Sequence, residues 1–188
     1  MDLRSALEAT FAAKTASTRE LDDGEVHAEG EVRFDGPAAR MTTTDGEQLM
    51  RLEGELWSYD EDGWARWQLG VAPRHNDDAF GTFQMLAALE HVTEVAPKQY
   101  RGTSPGRSRP EGGPVTVELD DEGRVIRVAY RFGSSERTIE FFDFGRDVEL
   151  QAPEEWEWFY PMGKPVRPTR FAGRNSAVRR RRRRARRR

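Results

Sequence analysis

Between Ala38 and Leu69 the chain reverses within a few residues again and again. Asp45-Gly46, Glu53-Gly54 and an Asp-Glu-Asp-Gly run ending at Gly63 separate the short runs Ala38–Thr44, Gln48–Leu52, Leu56–Tyr59 and Trp64–Leu69. Runs this short, with no room for a helix between them, pair with their sequence neighbours and therefore run antiparallel. A doubly wound parallel sheet needs a crossover helix after each strand and is excluded. Upstream, in an extended stretch that begins near Thr18, Val26, Ala28, Gly30, Val32 and Phe34 alternate with Glu25, His27, Glu29, Glu31 and Arg33. That is the two-residue period of a strand with one wet face, and Asp35-Gly36-Pro37 ends it. Downstream, strand signals run over Val92–Tyr100, a hairpin joins PVTVEL to RVIRVAYRF across Asp120–Gly123, and Arg137–Phe142 and Val148–Leu150 finish the sheet. The segment GTSPGRSRPEGGP between them is too rich in Gly, Pro and Ser for regular structure. Nine or ten strands are expected.

Only two segments change to a helical period. In DLRSALEATFAAK, Leu3, Leu7 and Phe11 lie at i, i+4 and i+8 with Ala6, Thr10 and Ala13 beside them. In DDAFGTFQMLAALEH, Asp77 or Asp78 caps a helix whose Phe80, Phe83, Leu86 and Leu89 fall near one face. A length of 188 residues suits one domain with a sizeable core. The expected fold class is α+β: one large, curved antiparallel sheet with two helices packed on its concave side. A groove between helices and sheet would be lined by Leu7, Phe11, Phe80, Phe83, Leu86 and Leu89, with Trp57 or Trp67 as further lining candidates.

The net charge of -3 conceals two electrostatic objects. All 33 acidic residues precede Lys164, whereas 13 of the 30 basic residues lie from Lys164 onward, so the body holds 17 basic against 33 acidic residues. The domain is therefore expected to span residues 1–163, with a disordered basic tail at 164–188. The tail ends in nine arginines, Arg179, Arg180, Arg181, Arg182, Arg183, Arg184, Arg186, Arg187 and Arg188. An acidic body repels polyanions, so contact with nucleic acid or an anionic membrane would be nonspecific and confined to the tail. Its closest anion is the body to which it is tethered. The bland alternative is a low-complexity end with no selected role.

Catalysis has no positive support in the sequence. With no cysteine there is no thiol nucleophile, disulfide or thiolate metal site. His75 with Asp77 and Asp78 falls short of a zinc ligand set, and it reads as a loop histidine before a helix cap. His27 lies on a strand's polar face, and His91 at a helix end, where an imidazolium would favour the dipole. Asp143-Phe144-Gly145 matches the kinase magnesium motif by letter only, no G-x-S-x-G elbow is present, and the acidic turns lack the spacing of a calcium loop. Neither an enzyme nor a cofactor is expected. Without a basic-then-apolar leader or a long apolar run, the chain as written reads as cytoplasmic, with export as the alternative if translation starts upstream.

Aromatic residues carry more information. Trp57, Tyr59, Trp64 and Trp67 share one hairpin, where alternation puts Trp57 and Tyr59 on a common face. EEWEWFYPM, from Glu154 to Met162, is either an edge strand covering the open end of the sheet or an interaction site.

The order and style of DLRSALEATF, ELWSYDEDGWARW, DAFGTFQMLAALE, VTEVAPKQYRG, VTVELDDEGRVIRVAY and FFDFGRDVELQAPE resemble the LolA-like fold, in particular the LppX/LprG-type proteins of actinobacteria, over roughly residues 2 to 155. The resemblance implies a half-barrel sheet with helices on its open side and carriage of a lipid or similar apolar molecule in the enclosed cavity. The span after Tyr100 is shortened, from which a smaller or closed cavity is expected, and the absence of a lipobox cysteine departs from the exported members of the family. Substituting Phe83→Asp is then expected to abolish uptake while leaving the sheet folded. The alternative, from another class, is a protein-interaction module with a filled core that contacts partners through the Trp-rich segment and the Arg tail. Oligomeric state is not legible.

Overall fold

The computed structural model describes residues 2–36, 38–52, 55–60, 63–67, 79–105 and 112–159. The first apolar stripe forms α1 (Leu3–Ala12), started by Asp2, whose carboxylate accepts the Ser5 N–H at 2.8 Å. One of the helix's unpaired amides is thereby satisfied. The chain leaves the helix through Lys14 at φ 67°, with the Lys14 N–H donating to the Phe11 carbonyl at 3.0 Å.

Next come β1 (Thr15–Asp22) and β2 (Glu25–Arg33), a hairpin turning at Asp23 and Gly24 with φ of 50° and 85°. Two positive φ values are what a tight turn between twisted strands requires. The expected single extended stretch from Thr18 to Phe34 is therefore two strands. β3 (Ala38–Thr43), β4 (Gln48–Leu52), β5 (Glu55–Asp60) and β6 (Gly63–Trp67) continue the meander. α2 (Ala79–Ala87) follows; its proposed caps, Asp77 and Asp78, and His75 lie outside the described residues.

The run Val92–Tyr100 is likewise a hairpin, β7 (Glu90–Ala96) and β8 (Gln99–Thr103), turning at Pro97-Lys98 with Lys98 at φ 64°. β9 (Pro114–Leu119), β10 (Val125–Phe132) and β11 (Ser135–Phe142) complete the second meander. Val148–Leu150 is not a strand. It crosses the sheet as irregular chain, with Val148 and Leu150 buried against Ala38 and Leu52. β12 (Glu157–Phe159) then adds to the edge of the sheet parallel to β6, so the EEWEWFYPM segment does supply an edge strand.

The described strands form one open sheet in the order β12-β6-β5-β4-β3-β2-β1-β11-β10-β9-β8-β7, antiparallel except at β12. The two meanders meet where β1 pairs with β11. At the other edge, register breaks and Glu90 and Glu94 on β7 discourage further pairing. α1 packs on α2 and β10, and α2 on β3. Thr10 fastens this layer: its hydroxyl donates to the Ala6 carbonyl at 2.7 Å and accepts the Val125 N–H at 2.8 Å. The main core lies between helices and sheet and includes Ala16, Val32, Phe83, Leu86, Val115, Val117, Val128, Ile139 and Phe141. Strand irregularities at Glu20/Leu21 and Val125/Arg127 bend the sheet. Gly30 lets β3 approach closely, since a Cβ there would stand 2.0 Å from the Arg40 carbonyl oxygen.

Candidate ligand-binding face

Cross-strand register decides which side chains face the helices. Val32, in the helix-packed core, lies opposite Ala16 and Ala39; Ala39 lies opposite Arg51, and Arg51 opposite Leu56. Side chains opposite one another share a face and neighbours along a strand alternate. Leu56 and Ser58 thus face the helix side, as does Trp67, whose indole N–H donates to the Ser58 hydroxyl at 3.0 Å.

Trp57 belongs to the reverse face. It pairs with Met50, which pairs with Arg40, which pairs with Glu31. There it is buried, edge-on to Trp156 with ring centroids 5.3 Å apart, while the Arg66 guanidinium lies 5.3 Å from one ring and 5.2 Å from the other. Its place is in a second, outer layer made by the 146–156 crossing, away from the helix–sheet groove.

The other candidates converge. Phe83 sits at the centre of four rings, 4.9 Å from Phe141, 5.2 Å from Phe34 and 5.3 Å from Phe11 between centroids. Leu86 is buried beside it, and Leu7 and Leu89 pack half-buried against the same core. Phe11 keeps 43% of its surface exposed, so the cluster runs from a dry centre to a wet rim. Phe80 is in α2, but its side chain lies outside the described residues, as do Arg179–Arg188. Phe83 is only 4% exposed. The Phe83→Asp variant would therefore bury a carboxylate among rings, and its loss of uptake would report unfolding.

Three polar residues on the helix-facing side escaped the sequence reading. Glu20 lies opposite Ala28 and Ile139, both in the apolar interior, and its Oε1 is 3.0 Å from the Nε of Arg137. The two side chains are only 6% and 12% exposed. Asp22 stands 4.0 Å from the same guanidinium, and buried Tyr130 is directly opposite Arg137. Two residues before Glu20 on the same face, Thr18 is 1% exposed and its hydroxyl has no hydrogen-bond partner among the described residues. The signal was available in the alternation Ala16, Thr18, Glu20, but merging β1 with β2 hid it.

The outer face carries an open groove of about 430 Å³ over Ser17, Arg19, Glu29, Glu31, Arg40 and Arg146. Arg19 pairs with Glu29 at 2.8 Å, and Glu31 takes both Arg40 at 2.8 Å and Arg146 at 2.9 Å. Its arginines neutralise carboxylates of the sheet itself, and nothing there suits an acyl chain. His27 is exposed, and His91 is exposed on β7 at φ 53°, beyond the end of α2. No group of three His, Cys, Asp or Glu able to hold a metal occurs among the described residues. Burial, followed by the nearby Glu94 carboxylate, raises the Tyr100 hydroxyl above its ordinary value.

Against solved structures, the chain matches lipoprotein LppX of Mycobacterium tuberculosis with a TM-score of 0.56, over 79% of this chain and 96% of that one, at 20% identity. The fold is the LppX-type, LolA-like half-barrel. LprF of Mycobacterium bovis matches with a TM-score of 0.50, over 80% of this chain and 94% of that one, at 11% identity. No protein-family profile and no curated protein matches. In this half-barrel α2 packs across β3, so the helix-facing side chains of β4–β6, Leu49, Leu56 and Trp67, form an arm beside the helix pair. No described helix is long and apolar enough to cross a membrane.

Proposed function

We propose that the chain binds or carries a lipid or similar apolar ligand, without catalysis, on the helix-facing side of the half-barrel. The observation that carries this reading is the arm itself: Leu49 and Trp67, both only half-buried, present apolar surface beside buried Leu56, toward the side where Phe11 projects a half-exposed ring. An acyl chain laid between the Phe11–Phe34 rim and this arm would gain about 0.8 kcal/mol for each methylene withdrawn from water. Trp57 has no part in it. LppX is a lipoprotein, which supports placing this domain in the cell envelope.

A second reading is favoured by the packing of Phe83, Leu86 and Ile139, which leaves the helix–β10 half of the layer dry. In it the barrel is a filled scaffold that contacts partners through the Trp-rich segment and the Arg tail. Titrating the full chain with a fluorescent fatty acid separates the two. Saturable uptake with quenching of indole emission supports carriage, which the variant Trp67→Ala should weaken and Trp57→Phe should not. No uptake supports the filled scaffold.

A further inference from the structure

The register of the sheet shows where the arginine-rich segment begins. Cross-strand partners carry one helix-facing row from Val32 through Ala39, Arg51 and Leu56 to Trp67, and Phe159 of β12 closes it. Because β12 runs parallel to β6, the chain leaves Phe159 at the end of the sheet where β6 stops at Trp67. Lys14 and Phe34 belong to this same end, since Thr15 lies opposite Arg33 and the Phe34 N–H donates to the Lys14 carbonyl at 2.6 Å. Phe11, with 43% of its surface exposed, packs on Phe34 there. Residues 160–188 then hold 13 Lys and Arg and no Asp or Glu.

The two ends of the sheet differ in charge. At the far end the β1–β2 and β3–β4 turns carry Asp22, Asp23, Glu25, Asp45 and Glu47 and no Lys or Arg. At the near end the turns mix the signs: Arg33 stands 3.8 Å from Asp35, Arg124 pairs with Asp120 and Glu122 at 2.7 and 2.9 Å, Lys98 pairs with Asp121, and Lys14 is exposed. An acidic body is repelled by an anionic surface, most strongly at the far end and least at the near one. We infer that the near end of the half-barrel docks on an anionic lipid bilayer, held there by the arginines from Arg179 to Arg188. A bilayer offers what this end presents. It has many negative headgroups side by side for the arginines, each cation gaining separately, and an apolar layer beneath them for a half-exposed ring. A single headgroup would engage only a few of the nine arginines, and RNA supplies the charge without the apolar layer. The docking goes beyond carriage and stands on charge and topology. It would turn the end of the row, Leu56 and Trp67, toward the layer from which a carried lipid comes.

The chain has no cysteine, so a single introduced one carries a polarity-sensitive fluorophore without background. Asp35→Cys labels the near end and Glu47→Cys the far end, both at exposed turn positions where the variants should fold, which thermal melts check. Each labelled full chain is mixed with vesicles of phosphatidylcholine alone, or of equal parts phosphatidylcholine and phosphatidylglycerol. Co-flotation should be about a hundredfold tighter on the anionic vesicles and should fall steeply as salt is added. Emission should shift to the blue at Asp35→Cys and stay unchanged at Glu47→Cys. Arg179→Gln, with the same change at the other eight terminal arginines, should remove both the preference and the shift. Equal affinity for the two vesicles, a preference that survives the glutamine replacements, or binding with no shift at Asp35→Cys or an equal one at Glu47→Cys overturns the docking. So does a response of Asp35→Cys to poly(U) RNA with none to vesicles, which would make nucleic acid the partner.

Discussion

Replacing Phe83 with alanine tests whether the helices are held to the sheet as described. Phe83 is 4% exposed and contacts three rings, at 4.9, 5.2 and 5.3 Å between centroids. Truncating a buried phenylalanine in a well-packed site costs about 3–5 kcal/mol, combining lost transfer energy with the cavity left behind. Each ring pair adds about 0.5–1.5 kcal/mol beyond buried area, so the upper part of that range is expected. Against a total of about 5–15 kcal/mol for an ordinary domain, this is a large fraction. Phe11 supplies the internal control. It contacts Phe83 and Phe34 but is 43% exposed, so Phe11→Ala should cost about half as much or less. Urea unfolding of the full chain, followed by far-UV circular dichroism, gives both numbers, and the midpoint should fall with little change in slope. A loss below about 1.5 kcal/mol for Phe83→Ala, or equal losses for the two variants, would refute the packing and mean that Phe83 borders an open cavity.

Three further outcomes are expected. Gly30→Val places a Cβ 2.0 Å from the Arg40 carbonyl, which must push β2 from β3, so the variant should be strongly destabilised or insoluble, while Gly46→Ala, which meets open space but must hold φ 92°, should cost only about 1–2 kcal/mol; thermal melts compare them. Glu20→Ala removes the nearer carboxylate from the buried Arg137 guanidinium and leaves Asp22 at 4.0 Å, so it should cost up to about 3 kcal/mol, whereas the double replacement Glu20→Met with Arg137→Leu should recover most of it, as denaturant midpoints will show. Asp2 is held below the ordinary aspartate pKa chiefly by the Ser5 backbone N–H. Its contribution to α1 is therefore present above the ordinary value and is lost as pH falls through the lowered one, which a carboxyl NMR titration should reveal, with the downward shift absent in acid-unfolded chain.

Much of the topology was legible because it is written in turns. Asp45-Gly46 marked the β3–β4 hairpin, and Asp120–Gly123 marked the β9–β10 hairpin, since both sit between apolar runs. Asp23-Gly24 has the same chemistry but is flanked by Glu20, Asp22 and Glu25, so no apolar boundary exposed it. The β7–β8 turn was hidden differently, because Pro97 is its one turn signal and Lys98, rather than Gly, Asn or Asp, takes the positive φ after it. Val148–Leu150 alternates like a strand, yet tertiary burial on Ala38 and Leu52 serves it instead of a ladder.

Site residues divide along a similar line. The helical period placed Leu7, Phe11, Phe83, Leu86 and Leu89 on the packed layer, because one amphipathic stripe has one place to go. A strand in a sheet covered on both sides has two. Alternation separated Trp57 from Trp67, but only the full register from β2 to β6 shows that Trp67 faces the helices and Trp57 faces Trp156. Glu20 was passed over because a charged residue in an acidic chain reads as surface, and its burial depends on Arg137, which lies more than a hundred residues away in sequence.

The most direct measurement is native mass spectrometry of the full chain purified from cells, combined with organic extraction. High ammonium acetate should be used so that the terminal arginines do not recruit anions. One lipid mass bound per chain, reproducible between preparations and weakened by Trp67→Ala, is the expected result. A clean apo mass that takes up no added fatty acid would contradict carriage, and would leave the half-barrel as a packed scaffold.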